Sequence, residues 1–298
     1  MTSPGAVKTV ILARLRARLE RERRQGQLLP EADDFHETVR AKLSGQWDAP
    51  QFWNFSRCGN EDFFRTCKEC RTVEKLKYRC NIKWCPRCQW KITDARKKVL
   101  QLWTRKITQP KHLVLTQKNF PILTRRRIRE HTRALARLRK KKCFQSVNGG
   151  CVSIEITNEG AGWHLHSHWL IDARWLDMTA VSKAWGKLVG QNFAVVKIKD
   201  VRNAEYLQEV SKYVVEGSEL ARWPREQINE FVRAVHGLRF FFSFGSLLKL
   251  APKIREELRA LRPPGKLCDC GCGSFWYEDA QDHEVRELMK CCNQKNRS

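Results

Sequence analysis

Three histidines alternate with Leu165 and Ser167 in the segment Trp163-His-Leu-His-Ser-His-Trp-Leu-Ile171. In a β-strand, side chains two residues apart project from one face, so His164, His166 and His168 point the same way. Each buried imidazole needs a polar partner. Neutral imidazole is also a common metal ligand, and a strand fixes the spacing of successive ligands, so the triplet is a candidate metal-binding face. A second set of reactive side chains lies in Tyr206-Leu-Gln-Glu-Val-Ser-Lys-Tyr213. On a helix Glu209 and Tyr213 share a face, with Lys212 about a third of a turn round. A tyrosine hydroxyl near a divalent metal and a carboxylate can attack a phosphodiester and form a covalent phosphotyrosine bond.

The chain has thirteen cysteines, and the densest group reads Cys67-x2-Cys70, then Cys80-x4-Cys85-Pro-Arg-Cys88. Two C-x2-C pairs make a tetrahedral thiolate site for structural Zn²⁺, here on Cys67, Cys70, Cys85 and Cys88. Cys80 is a competing ligand and Cys58 a weaker one. The tail carries Cys268, Cys270, Cys272, His283, Cys291 and Cys292, a less regular set that leaves a second metal open.

Elements with matching periodicity surround these residues. His112–Thr116, Cys151–Thr157, Trp163–Ile171 and Phe193–Ile198 read as strands, with Asn148-Gly149-Gly150 as a turn. Pro121–Lys142, Asp177–Val189 and Asn203–Val215 read as helices, the first with Ile122, Ile128, Leu135 and Leu138 as its apolar stripe. The order β-α-β-β-α-β-α predicts an α+β fold with a ferredoxin-like antiparallel sheet. Five regions follow: a basic helical segment over 1–57, a Cys-rich zinc module over 58–100, the α+β unit over 101–217, a helical extension over 218–262 that includes Phe240-Phe-Phe-Ser-Phe244, and a Cys-containing tail over 263–298.

Charge narrows the partner. The 298 residues include 57 Lys+Arg against 32 Asp+Glu, a net charge of +25. Such a surface repels itself unless a polyanion neutralises it, and nucleic acid is the usual one. The helix at 121–142 holds ten of these cations against one Glu, and Arg125, Arg126 and Arg127 are its candidate phosphate contacts. With 42% hydrophobic residues a disordered chain is excluded. No run approaches the roughly 18 apolar residues of a membrane span. The N-terminus lacks a secretory pattern, which predicts a reducing, cytoplasmic setting and thiols that serve metal before disulfides.

Leu113-Val-Leu-Thr116-x-x-Asn119, Glu155-Ile-Thr157, Trp163-His-x-His-x-His168-x-Leu and Glu209-x-x-Lys212-Tyr213 occur in that order. Together they resemble the motifs of HUH-type rolling-circle replication initiators, in particular the plasmid replication-protein family. The resemblance spans roughly residues 65–217, and several ordered motifs are far more specific than any one. It implies a ferredoxin-like palm and a catalytic Mg²⁺ or Mn²⁺ held by a histidine pair. It also implies Tyr213 as the nucleophile that nicks one DNA strand at a bacterial plasmid origin. A host polymerase and helicase are the implied partners. The pair falls on His166 and His168, with His164 preceding it. Ser167 stands where the family has a bulky apolar residue, which leaves His164 and His166 as the other register. Glu209 replaces the second tyrosine of phage-type relatives, which implies a water-activating carboxylate that ends the cycle after one copy. Two other readings remain: a transposase or relaxase with the same chemistry, and a zinc-ribbon nucleic-acid-binding protein without catalysis.

Overall fold

The computed structural model describes residues 31–45, 51–67, 73–192, 194–201, 207, 210–211, 214–260 and 276–277. Cys70, Tyr206, Glu209, Lys212 and Tyr213 lie outside the described residues, as do the segment 1–30 and all but two residues of the tail.

A five-stranded antiparallel sheet positions the histidines. Its strands are β3 (Pro110–Thr116), β4 (Val147–Thr157), β5 (His164–Ala173), β6 (Val196–Asp200) and β7 (Phe241–Phe244), in the order β6-β3-β5-β4-β7. Residues directly opposite in a ladder share a face, so the two faces follow from the register. Leu113, Ile154, Leu165, Ser167, Trp169 and Ile171 lie on one face. This face forms the main core with Ile128, Leu135 and Leu138 of α4 (Arg125–Leu138) and with Val181 and Trp185 of α5 (Met178–Val189). The other face divides along its length. One half buries Cys151 and Leu170 with Leu100 and Trp103 of α3 (Pro86–Thr104) and with Leu207 and Val210. The remaining half bears Glu155 and the three histidines.

A second sheet, of order β2-β1-β8, comprises β1 (Asp62–Cys67), β2 (Val73–Lys77) and β8 (Trp276–Tyr277). Helix α1 spans residues 31–43 and α2 spans Phe52–Arg57. Three further helices are α6 (Gly217–Arg222), α7 (Arg225–Val235) and α8 (Gly245–Ala260), the last following β7. Lys42 of α1 fastens to α6 by donating to the carbonyls of Ala221 and Trp223 at 2.6 and 2.8 Å.

Several elements depart from the sequence reading. The basic helix begins at Arg125, because the Thr124 hydroxyl accepts from the Arg127 N–H and caps it. Ile122 precedes the helix and is 59% exposed, so it is no part of the apolar stripe. Asn148-Gly149-Gly150 is not a turn: β4 runs through it, with a register shift between Val147 and Gly149. The glycines there admit neighbouring backbone. A Cβ on Gly149 would lie 2.2 Å from the Ser246 nitrogen, and one on Gly150 2.2 Å from the Leu170 oxygen. Phe241–Phe244 forms edge strand β7 against β4, where the sequence suggested helix; a run of aromatics suits a pleated, half-buried surface. The last strand of the unit is shifted to Val196–Asp200. Trp163, Trp169 and Trp185 are all fully buried and serve packing.

Burial sets the expected response to truncation. Leu115→Ala, in a fully buried position of a central strand, should cost about 2–5 kcal/mol. Ile122→Ala should stay within about 0.5 kcal/mol. Urea unfolding of the two variants measures the contrast.

Candidate metal centres and nucleic-acid interface

Glu155 of β4 lies directly opposite His166 of β5, and Ser153 opposite His168. The Nε2 atoms of His166 and His168 both converge on Glu155 Oε2, at 2.6 and 3.1 Å. Potential ligand atoms of Glu155, His166 and His168 all lie within 4.8 Å of one another, so this group could hold a metal ion. A carboxylate and two imidazoles are a donor set suited to a divalent cation. Glu155 and His168 are buried and His166 is half-buried, so the group has one open side.

His164 lies outside this close group. Its Nδ1 lies 2.6 Å from Asn119 Oδ1. The Asn119 amide nitrogen donates to the Ala161 carbonyl at 3.2 Å, which orients the side chain. An amide oxygen only accepts, so His164 carries its proton on Nδ1 and leaves Nε2 as an acceptor. Its ring lies 5.2 Å from that of His166, and its unprotonated Nε2 keeps it able to accept a proton or bind a cation. Burial lowers the His164 pKa, and the neighbouring His166 lowers it further.

Ser167 lies on β5 between His166 and His168. It points to the opposite, fully buried face, where its hydroxyl accepts from the Trp169 indole N–H at 3.0 Å. The indole needs that acceptor, which explains a serine where an apolar residue was expected. Behind the sheet, His131 of α4 is buried against Trp185 and bonded to Gln117 at 3.2 Å. Burial, then the charges of His166 and His164, push its pKa down to about 3, so it is a neutral core histidine.

The segment with Tyr213 is described only at its neighbours. Leu207, Val210 and Ser211 are helical and buried. The Val214 carbonyl accepts from the Ile156 N–H at 2.8 Å, one residue beyond Glu155. Gln89, in the first turn of α3, donates to the Val215 carbonyl at 2.5 Å. The Glu219 carboxylate accepts from the Asn158 N–H at 2.8 Å, and the Trp223 indole donates to the Asn158 carbonyl at 3.1 Å. Burial raises the Glu219 pKa, and Glu155 and Glu159 nearby add to the rise.

The thiolate site differs from the expected one. Cys58, Cys80, Cys85 and Cys88 lie within 4.8 Å of one another, while Cys67 lies outside this group. The reason is the β1–β2 hairpin. The Gly59 N–H donates to the Tyr78 carbonyl and the Tyr78 N–H to Glu61, so Cys58 and Cys80 meet at the hairpin's open base. Cys67 is at its far end. Cys58 was the weaker candidate by sequence because it has no close-spaced partner; only the ladder brings Cys80 to it. Sulfur separations of 3.5, 3.7 and 3.8 Å match the edge of a tetrahedron with metal–sulfur bonds of about 2.3 Å, roughly 3.8 Å. Hydrogen bonds from neighbouring thiols pull the Cys58 thiol down, while burial pushes Cys85 up. Arg87 clamps the group to α1, through Asp33 at 2.5 Å, Glu37 at 3.1 Å and the Cys58 carbonyl.

The candidate phosphate contacts have different surroundings. Arg126 is 83% exposed, with Glu130 at 3.6 Å. Arg127 is exposed and lies over the Phe120 ring at 5.0 Å. Arg125 donates to the His236 carbonyl at 2.5 Å, so part of its donor capacity is used within the protein. Among the described residues no helix is long and apolar enough to cross a membrane.

The family model described as replication protein matches residues 72–263, more than half of the chain. No curated protein and no solved structure matches it.

If the four clustered thiols hold one ion, Cys58→Ser should lower the bound metal by one equivalent per chain. Cys143→Ser, remote from the cluster, should leave it unchanged. Elemental analysis of the purified proteins decides.

Proposed function

The chain belongs to the replication protein family, whose members initiate plasmid replication, and we propose that it does so by nicking one strand of origin DNA through a covalent phosphotyrosine. The observation that supports this reading is the convergence of His166 and His168 on Glu155 at the end of a sheet whose opposite half is apolar core. The strand order β6-β3-β5-β4 reads as a ferredoxin-like palm, with β7 as an added edge strand.

In this reading the Glu155, His166 and His168 side chains hold Mg²⁺ or Mn²⁺. Bound there, the ion would supply Lewis-acid chemistry that polarises a phosphoryl oxygen and offsets charge in the transition state. Tyr213 supplies the nucleophile. Its phenolic oxygen gives up its proton and bonds to phosphorus, the bond to the 3′-oxygen breaks, and that oxygen takes up one proton to leave a free 3′-hydroxyl, so protons balance. The 5′-phosphate stays on Tyr213. Lys212 steadies a phosphate oxygen. The backbone bond between Val214 and Ile156 ties the chain next to Tyr213 to the strand that bears Glu155. Glu209 takes a proton from water, which hydrolyses the adduct and ends the cycle. His164, fixed by Asn119 with Nε2 unprotonated, positions the DNA or the neighbouring His166 and is not itself a ligand. Structural Zn²⁺ fits the group of Cys58, Cys80, Cys85 and Cys88, four soft thiolates at tetrahedral spacing. Arg126 and Arg127 are the arginines of α4 placed to meet phosphate.

Labelled single-stranded origin oligonucleotide incubated with protein and Mn²⁺ tests the proposal. A denaturant-resistant adduct is expected with wild-type protein, none with Tyr213→Phe, and a loss of at least about 100-fold with His166→Ala. An adduct that persists in Tyr213→Phe would overturn the assignment. Glu209→Ala should still nick but accumulate adduct and joined multimers. Neutralising Arg126 and Arg127 together should reduce the log–log salt slope of DNA binding by about 1.4 to 1.8. An unchanged slope, measured by anisotropy across a salt series, would make them a solvated face.

A further inference from the structure

The outward face of α4 carries charge that weakens its own helix. Arg126, Arg129, Arg133 and Arg137 recur every three or four residues, so they form one ridge on the side away from the buried Ile128, Leu135 and Leu138. All four are exposed, as are Lys140 and Lys141 just past the helix end. Arg126 has Glu130 at 3.6 Å, and among the described residues no ion pair involves the other five cations. Like charges four residues apart, as in Arg129 with Arg133 and Arg133 with Arg137, repel and destabilise a helix. The first turn holds no acid, and its arginines oppose the helix dipole. A solvated face gains nothing from this pattern. A polyanion laid along the ridge offsets every one of these repulsions.

The two ends of the ridge are fixed by the sheet. At its start Arg127 lies over the Phe120 ring at 5.0 Å, and Phe120 bridges to Trp163, the residue before His164. The ridge therefore begins at the histidine end of β5. Its far end leads through the 3₁₀ turn Lys142–Phe144 into β4, where Val147 pairs with Ala173 at the other end of β5. There Trp175 is 67% exposed, although the chain around it is held. The Ser146 hydroxyl donates to the Trp175 carbonyl at 2.9 Å, Leu176 is buried, and Asp177 caps α5. An indole held out in water at the lysine end of the ridge is a surface for stacking. Cations that follow a backbone, together with an exposed aromatic ring, suit single strands, because an unpaired base offers its face and a paired one does not.

We propose that this face of α4 is a track for single-stranded DNA, with Arg129, Arg133, Arg137, Lys140 and Lys141 meeting phosphates and Trp175 stacking on a base at the far end. The 14 residues of α4 rise about 21 Å, the length of about six stacked nucleotides. Holding a strand in this way needs neither the metal nor Tyr213, so it stands or falls apart from the nicking chemistry.

Fluorescence anisotropy of full-length protein with oligothymidylate of about 15 nucleotides, without divalent metal, tests the track. Trp175→Ala should weaken binding about 5- to 100-fold with the salt slope unchanged, and Trp175→Phe should recover most of the loss. Replacing Arg133 and Arg137 together by Gln should reduce the log–log salt slope by about 1.4. These side chains are exposed, so the melting temperatures should not fall, which separates lost binding from lost fold. Unchanged affinity in Trp175→Ala, or an unchanged slope in the double variant, would overturn the proposal. So would a larger loss in the double variant on a duplex of equal length than on oligothymidylate, which would make the ridge a duplex-phosphate face.

Discussion

The pairing of β4 with β5 that sets Glu155 opposite His166 is the constraint on which the rest of the site depends. A buried carboxylate costs several kcal/mol in desolvation unless partners compensate. Here two imidazoles converge on one of its oxygens. A slip of one residue in that ladder would send every side chain of β5 to the other face. The histidines would enter the core, and Leu165, Trp169 and Ile171 would leave it. The apolar set therefore guards the register of the polar one. Gly149 and Gly150, which let the backbone of β5 and of the β7–α8 junction approach closely, protect the same ladder from its other end.

The thiol group acts on the same site from a distance. Cys85 caps α3 and Cys88 lies in its first turn, followed by Gln89, whose amide holds the Val215 carbonyl. Gly217 packs against Pro86 so closely that a Cβ there would lie 3.0 Å from the proline ring. The start of α3 is thus both a corner of the thiol group and a brace for the chain that follows Tyr213. Disturbing the thiol corner should reach the tyrosine segment through this brace.

Much of this was legible in the sequence because periodicity reports faces. The alternation in residues 163–171 places the histidines on one side and the apolar residues on the other, as the structure has them. Asp177 was readable as a cap from its type and position, and it does accept from the Ala180 N–H. Long-range pairing was not readable. Glu155 sits between Ile154 and Ile156 and was legible only as part of the Glu155-Ile-Thr157 motif. Only the ladder shows that it faces His166. Cys58 and Cys80 are 22 residues apart, and the hairpin closes that gap. Cys67, with the more suggestive spacing, lies at the far end of the same hairpin. Phe241–Phe244 pairs with a strand some ninety residues earlier, which local composition does not encode.

The central claim is that Glu155, His166 and His168, and not His164, make the divalent-metal centre. Pulsed electron paramagnetic resonance of Mn²⁺ bound to the full-length protein addresses it directly, because directly bound imidazole nitrogens couple to the electron spin. The expected spectrum has couplings from two histidines, unchanged in His164→Gln and reduced to one in His166→Ala. A spectrum without histidine couplings, or one that loses a coupling in His164→Gln, would contradict the account.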